Sequence, residues 1–163
     1  MPQTWYHSPI GIIRITVTES YVEEVHFCEK EELSDMSQEI SWNALLQNCT
    51  DQLIEYFSGH RRQFDLPVSQ TGTGFQQQVW GELTAISFGR TISYMDLARK
   101  LGDPKVIRAA ASANGKNNIA IIVPCHRVIG TNREMVGYAG GIGRKKWLLD
   151  HERKIAHGVQ TLF

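Results

Sequence analysis

Residues 119–130 read IAIIVPCHRVIG. A run of five aliphatic residues is broken by Pro124, Cys125, His126 and Arg127 before Val128 and Ile129 resume it. A thiol beside an imidazole and a guanidinium is the group set of an assisted nucleophile. Cysteine attacks as thiolate, and with a free pKa of about 8.5 it needs a base or a positive field to do so at neutral pH. His126 and Arg127 are the adjacent candidates. The segment otherwise reads as a buried strand, in which neighbouring side chains point to opposite faces. A direct Cys125–His126 hydrogen bond would be strained there, so either Pro124 turns the chain or a water carries the proton. A base is usually oriented by a carboxylate, and Asp150 and Glu152 are the acids close to other motif residues. A lone Cys in an apolar run is more often an inert core thiol, and a lone His more often bonds to backbone. Three polar residues in a row have no such use in a core strand.

The elements that would hold this segment lie in the second half of the chain. Thr73 caps a helix with Phe75, Val79, Leu83 and Ile86 on one stripe, closed by Phe88-Gly89-Arg90. Ser93 with Asp96 three residues on forms a capping box for a second helix that ends at Gly102. Asp103-Pro104 supplies an N-cap and a first-turn proline. The third helix runs through KVIRAAASA to Asn114-Gly115, read as a left-handed stop. Two short capped helices joined this tightly resemble a helix-turn-helix. The third helix carries Arg108 among Ala109, Ala110, Ala111, Ser112 and Ala113, with Lys105 and Ser112 on a shared face. Tight helix packing explains the small residues equally well; a basic small-residue helix also suits a nucleic-acid groove. GYAGGIG, residues 137–143, lacks the Gly-Lys-Ser/Thr ending of a phosphate loop. The helix after it is expected to turn Trp147 and Leu148 inward.

The first half reads differently. Three strands are expected, through TWYH, IIRITVT with Ile13, Ile15 and Val17 on one face, and YVEEVHF. An acidic exposed connection follows, then a helix with Leu45, Cys49, Leu53 and Phe57 recurring every four residues. The polar, glycine-bearing stretch near residue 70 marks a boundary between domains 1–70 and 71–163. Residues 1–70 hold four bases against eleven acids, a net of −7; residues 71–163 hold thirteen bases against six acids, a net of +7. The division suggests that the basic half meets a polyanion. No apolar run has the length of a membrane span. Neither a secretory signal nor a disulfide framework is expected from the start MPQTWYHSPI and the three cysteines, Cys28, Cys49 and Cys125, so a cytoplasmic location is the default. Cys28 and Cys49, even with His26, match no zinc spacing and are read as buried structural thiols; no metal or cofactor is expected.

IVPCHRVIG closely resembles the active-site signature of the O6-alkylguanine-DNA alkyltransferases, the methylated-DNA–protein-cysteine methyltransferases. The likeness extends through residues 75–117, with the family's order of helix, Phe-Gly turn, Ser-Tyr helix start and Arg-bearing helix. It continues through GYAGGIGRKKWLLDHE and includes YFSGHRRQFDLP at the end of the first domain. The first forty residues match only in strand pattern. The resemblance implies a mixed α+β chain: a small N-terminal α/β, RNase H-like domain, then a mainly helical, winged helix-turn-helix-like domain. It implies that Cys125 accepts the alkyl group, with His126 as base through a water and Glu152 holding the imidazole. Tyr94 would contact the flipped base and a phosphate and donate toward the purine. Arg108 would fill the gap left by the extruded nucleotide. Asn117 would tie the DNA-binding helix to the nucleophile segment. Ser93, Lys105, Ala109, Ser112 and Arg127 would join the DNA surface, and Val128, Tyr138, Ala139 and Gly140 the base pocket. The expected partner is double-stranded DNA carrying O6-alkylguanine, bound by a monomer in the minor groove with little sequence preference.

Family members often carry a glycine pair where Ala111-Ser112 stand, a proline at Asn118 and a serine at Ala139. These departures bear on alkyl-group size and DNA affinity. Three other classes stand beside this reading. A non-catalytic lesion sensor would have tryptophan at the acceptor position. A Cys-His-Glu thiol hydrolase leaves Arg108 and the charge division unexplained. A transcription regulator leaves the Cys-His-Arg run without a purpose.

Overall fold

The computed structural model describes residues 1–37, 41–131, 135 and 137–158. Their contacts divide the chain into two compact units. One comprises residues 1–70 with 118–122, the other residues 71–117 with 123–163. The short segment 118–122 thus joins the first unit, although it lies in the half of the sequence assigned to the second domain.

In the first unit β1 (Gln3–Ser8), β2 (Gly11–Val17) and β3 (Val22–Phe27) form an antiparallel sheet in sequence order. Alternation puts Ile13, Ile15 and Val17 on the buried face of β2, as period-2 patterning requires. The outer edge of β3 accepts two parallel bridges, Val22 with Val68 and Val25 with Ile119. Segment 118–122 reaches that edge through Val25 N–H to Asn118 O and Ala120 N–H to Val25 O, both 3.0 Å. Helix α1 (Ala44–Phe57) covers the sheet with Leu46, Cys49, Leu53, Tyr56 and Phe57. Leu46 replaces the expected Leu45, because a helix repeats every 3.6 residues and a strict four-residue reading drifts off the face. Within the acidic connection residues 30–37 form a 3₁₀ helix, and residues 38 and 39 fall outside the described residues. Cys28 and Cys49 are both buried free thiols, and burial pushes the Cys49 thiol up to about 12. Among the described residues no three His, Cys, Asp or Glu side chains gather as a metal site.

In the second unit α2 (Gly74–Thr84) starts at Thr73 with a full capping box to Gln76. It buries Val79, Trp80 and Leu83; Phe75 is half-buried and Ile86 is buried beyond the helix end. The two-residue strand β4 (Ile92–Ser93) leads into α3 (Tyr94–Lys100), where the Ser93–Asp96 capping box is present. Asp103 caps a 3₁₀ turn, Pro104–Val106, that opens directly into α4 (Ile107–Gly115). The expected left-handed stop at Asn114-Gly115 is absent: the helix ends at Lys116 with φ −96°, and Asn114 is buried instead. The Trp80 indole donates to Ala113 O at 2.9 Å, fastening α2 to the end of α4. Strand β5 (Val128–Ile129) pairs in parallel with β4, and α5 (Ile142–His157) closes the unit. Gly89, at φ +81°, packs so closely on α5 that a Cβ there would stand 2.5 Å from that of Ala156. Among the described residues no helix is long and apolar enough to cross a membrane.

The run IAIIV is not a strand. After the single bridge at Ile119 it turns, with Ile121 at φ +71°. A β-branched residue in the left-handed region is strained and persists only where its surroundings hold it; Ile121 is fully buried.

Candidate active site

Pro124 does turn the chain. Residues 125–127 form a 3₁₀ turn between it and β5. In a 3₁₀ turn consecutive side chains point about a third of a turn apart, so Cys125, His126 and Arg127 leave the backbone in three directions. All three are buried.

His126 is 0% exposed, and its Nε2 lies 2.7 Å from Glu152 Oε2 on α5. Arg127 binds the same carboxylate with both faces of its fork, Nε to Oε1 at 2.8 Å and Nη2 to Oε2 at 3.0 Å. Its Nη1 donates to Ile86 O at 2.7 Å. Burial would raise the Glu152 carboxyl, but the charges and hydrogen bonds of His126 and Arg127 outweigh it and hold the group well below the usual carboxylate range. Burial pushes the His126 imidazole down, against the pull of Glu152. The stable combination is therefore an ionised Glu152 and a neutral imidazole donating from Nε2. The second ring nitrogen, Nδ1, keeps its lone pair and is buried with no hydrogen-bond partner among the described residues. Glu152 is thus the acid that meets the His126 imidazole; Asp150 is half-buried two residues away.

Burial raises the Cys125 thiol, while the Asn117 side chain, the Lys145 charge and nearby backbone groups draw it back. A raised thiol requires a base before it can attack. Asn117 Nδ2 also donates to Val123 O at 2.8 Å, closing the neck of the excursion 118–122 where the chain re-enters the nucleophile turn. Lys145, unremarked in the sequence, is fully buried. Its Nζ donates to Val128 O at 2.7 Å and Gly137 O at 3.3 Å, and stands 5.7 Å from the centre of the Tyr94 ring. Burial lowers its pKa to about 8. The signal was present in the sequence, since Lys145, Leu148, Leu149 and Glu152 share the i, i+3, i+4, i+7 stripe of α5. That stripe buries Leu148 as expected, while Trp147 is half-buried and stacked on His151.

A cavity of about 530 Å³ opens at this unit, lined by Tyr94, Ile107, Arg108, Ala111, Gly115, Gly137 and Tyr138. Two tyrosines from α3 and the loop before α5 therefore meet the small-residue face of α4. Burial raises the Tyr94 phenol, with an Asn114 hydrogen bond pulling it down, and burial raises Tyr138 further. Arg108, Ala109, Ser112 and Lys105 are exposed on or beside α4. Ser93 is half-buried, its hydroxyl accepting from Asp96 N at 2.9 Å. Val128, Ala139 and Gly140 do not line the cavity: Val128 is buried with its carbonyl held by Lys145, and Gly140 O takes Arg144 Nη1 at 3.1 Å. Arg127 does not belong to an exposed DNA surface, because Glu152, Ile86 O and the Phe88 ring occupy its guanidinium. Adjacency to Cys125 suggested a positive field for the thiol, and the family resemblance a place on the DNA surface; the 3₁₀ turn sends the side chain inward.

Two family models match this chain. Residues 1–70 match the ribonuclease-like domain of 6-O-methylguanine DNA methyltransferase, and residues 74–154 match its DNA binding domain. Among curated proteins, a methylated-DNA–protein-cysteine methyltransferase of Mycolicibacterium paratuberculosis is 36% identical over 96% of this chain and 94% of its own length. The protein of that name from Methanosarcina acetivorans is 38% identical over 90% and 95%. Among solved structures, the Mycobacterium tuberculosis O6-methylguanine methyltransferase superposes with a TM-score of 0.84 at 37% identity, covering 97% of this chain and 96% of that one. The M. tuberculosis protein in complex with DNA gives 0.85 over 95% and 94%. With a buried thiol, imidazole and carboxylate gathered in its second unit and both halves of the family model matched in order, the chain belongs to the 6-O-methylguanine DNA methyltransferase family.

Proposed function

We propose that this protein repairs alkylated DNA by direct reversal, moving the alkyl group of O6-alkylguanine onto Cys125. The observation that carries the reading is the buried His126–Glu152 pair at 2.7 Å, whose second imidazole nitrogen has no hydrogen-bond partner among the described residues, on the residue that follows a buried thiol in need of deprotonation. In the step, the Cys125 proton passes through a water to His126 Nδ1. The thiolate attacks the alkyl carbon, an S–C bond forms and the C–O6 bond breaks. Charge left on the purine is met by a proton from Tyr94. A neutral imidazole backed by an ionised carboxylate is the state that can accept the first proton.

The alkyl carbon cannot reach a protein side chain while its base is stacked, so the nucleotide is flipped out, which costs least for a base that pairs badly. The 530 Å³ cavity lined by Tyr94, Tyr138, Arg108 and the small residues of α4 supports this reading as the place for the extruded base. Arg108 fills the gap it leaves. The small residues of α4 enter the minor groove, Asn117 ties that helix to the nucleophile turn, and Lys105, Ala109 and Ser112 contact the backbone with little sequence preference. The thioether is stable to water, so each monomer acts once. Three free thiols suit a reducing cytoplasm.

The test is intact-protein mass after mixing with a duplex carrying one O6-methylguanine. The expected result is a single added methyl, saturating at one equivalent and absent in Cys125→Ser. Tight lesion binding without a mass gain would leave a sensor. Repeated turnover of an ester with no methyl gain would leave a hydrolase.

A further inference from the structure

One buried polar side chain of the second unit has no part in this chemistry. Asn114, near the end of α4, is 3% exposed. Its Nδ2 donates to Cys125 O at 3.3 Å, and its side chain also hydrogen-bonds the Tyr94 hydroxyl. Its Oδ1 is buried with no partner among the described residues. The polarity of this bridge follows from its ends. Cys125 O accepts only, so the amide must present its NH₂ group there, and an NH₂ has a second proton for the Tyr94 oxygen. Turning the amide over would satisfy Oδ1 with the Tyr94 proton but would set oxygen against oxygen at Cys125. The retained orientation leaves a buried acceptor unmet, which is costly and uncommon.

A hydroxyl has one proton. When its oxygen accepts from Asn114, that proton is given elsewhere than to Asn114. We propose that Asn114 is a positioning residue for alkyl transfer: by donating to both the Cys125 carbonyl and the Tyr94 oxygen, it locks the phenol beside the nucleophile turn with its O–H presented to the purine. This rests on the reading of Tyr94 as the donor to the departing base. Burial raises the Tyr94 phenol and the Asn114 N–H draws it back, so the same bond makes Tyr94 a better acid. Without the amide, the Tyr94 proton is free to turn inward to the Cys125 carbonyl.

The test is single-turnover methyl transfer at saturating duplex DNA for the wild type, Asn114→Leu, Asn114→Asp, Tyr94→Phe and Asn114→Leu with Tyr94→Phe, with thermal melts run alongside. Losing one neutral hydrogen bond in the transition state slows the limiting rate about tenfold. Asn114→Leu and Tyr94→Phe are each expected to show that loss. The double variant is expected to be no slower than Tyr94→Phe alone, and the half-saturating DNA concentration of Asn114→Leu is unchanged. Asn114→Asp, the same size but acceptor-only when ionised, takes the Tyr94 proton for itself. It should be at least as slow as Leu at neutral pH, and its rate relative to the wild type at the same pH should recover as pH falls and the carboxyl protonates. Packing alone would make Asp milder than Leu at all pH values and would add the full Leu loss to Tyr94→Phe; either result overturns the proposal, as does a wild-type rate in Asn114→Leu. A wild-type rate in Tyr94→Phe removes the Tyr94 reading itself, and the role of Asn114 with it, while leaving Cys125 as acceptor.

Discussion

At the residue scale the site is organised around one buried carboxylate that meets both a neutral imidazole and a guanidinium. Arg127 has been turned from a neighbour of the nucleophile into the counter-charge of Glu152. Removing it leaves that carboxylate buried without its permanent partner, which costs about 3–5 kcal/mol. Arg127→Ala should show a loss of this size in urea unfolding, and a residue that merely faced DNA would leave stability unmoved. Lys145 tests the site in another way. Its folded value, about 8, lies below the ordinary lysine value because the charge is buried. Between pH 8 and the unfolded value near 10.4 the unfolded chain binds the proton more tightly, so this group contributes stability that increases with pH. Raised Cys125 acts in the opposite sense from about pH 8.5 upward, and raised Tyr94 and Tyr138 from about pH 10 upward. The contribution is therefore read as a difference: stability of the wild type minus Lys145→Met should rise by about 3 kcal/mol across the window. A flat difference would mean that Lys145 titrates normally.

At the scale of elements, caps and short turns do most of the positioning. Thr73, Ser93 and Asp103 each accept a backbone N–H at a helix start, and these starts fix where α2, α3 and the 3₁₀ turn that leads into α4 begin. Such signals are legible because a cap is a local hydrogen bond between residues three apart or fewer. The aliphatic run before Cys125 was illegible for the opposite reason. Its hydrophobicity reports burial, and burial is equally compatible with a strand or with a strained turn such as that at Ile121. On α4 the exposed Arg108 follows directly from helical spacing among small residues. Arg108→Ala should weaken binding to duplex DNA. If its guanidinium displaces a counterion, the slope of log affinity against log salt should fall by about 1. An unchanged slope with weakened binding would point to stacking alone.

At the scale of the molecule the two units keep the charge division of the sequence, since residues 118–122 carry no charge. The acid side of stability is set within the second unit. Glu152 is held well below the usual carboxylate range by His126 and Arg127 in spite of burial. A depressed carboxylate contributes stability that is fully present above its unfolded value and is lost as pH falls toward its folded one. Unfolding should therefore become easier progressively below about pH 4.3. Glu152→Gln should start less stable at pH 7 and show a flatter decline; an equally steep acid limb in the variant would place the responsible group elsewhere.

The amino-acid sequence alone pointed to Cys125, His126 and one of two nearby acids, and its family likeness pointed to Glu152 rather than Asp150 as the carboxylate. Cys125 and His126 are adjacent, and Glu152 sits in the last helix of a strongly patterned half that matches a known family order. It also determined the helix starts, the two-domain character and the basic surface, because caps, periodicity and net charge are local or additive properties. Tertiary structure decided the rest: that Arg127 serves Glu152, that Lys145 is sealed against Val128 O and Gly137 O, and that Asn114 bridges Tyr94 and Cys125. Each of these depends on the direction in which a side chain leaves a turn or a helix and on what a distant segment presents there. A buried hydrogen bond between residues tens of positions apart leaves no pattern in either segment alone.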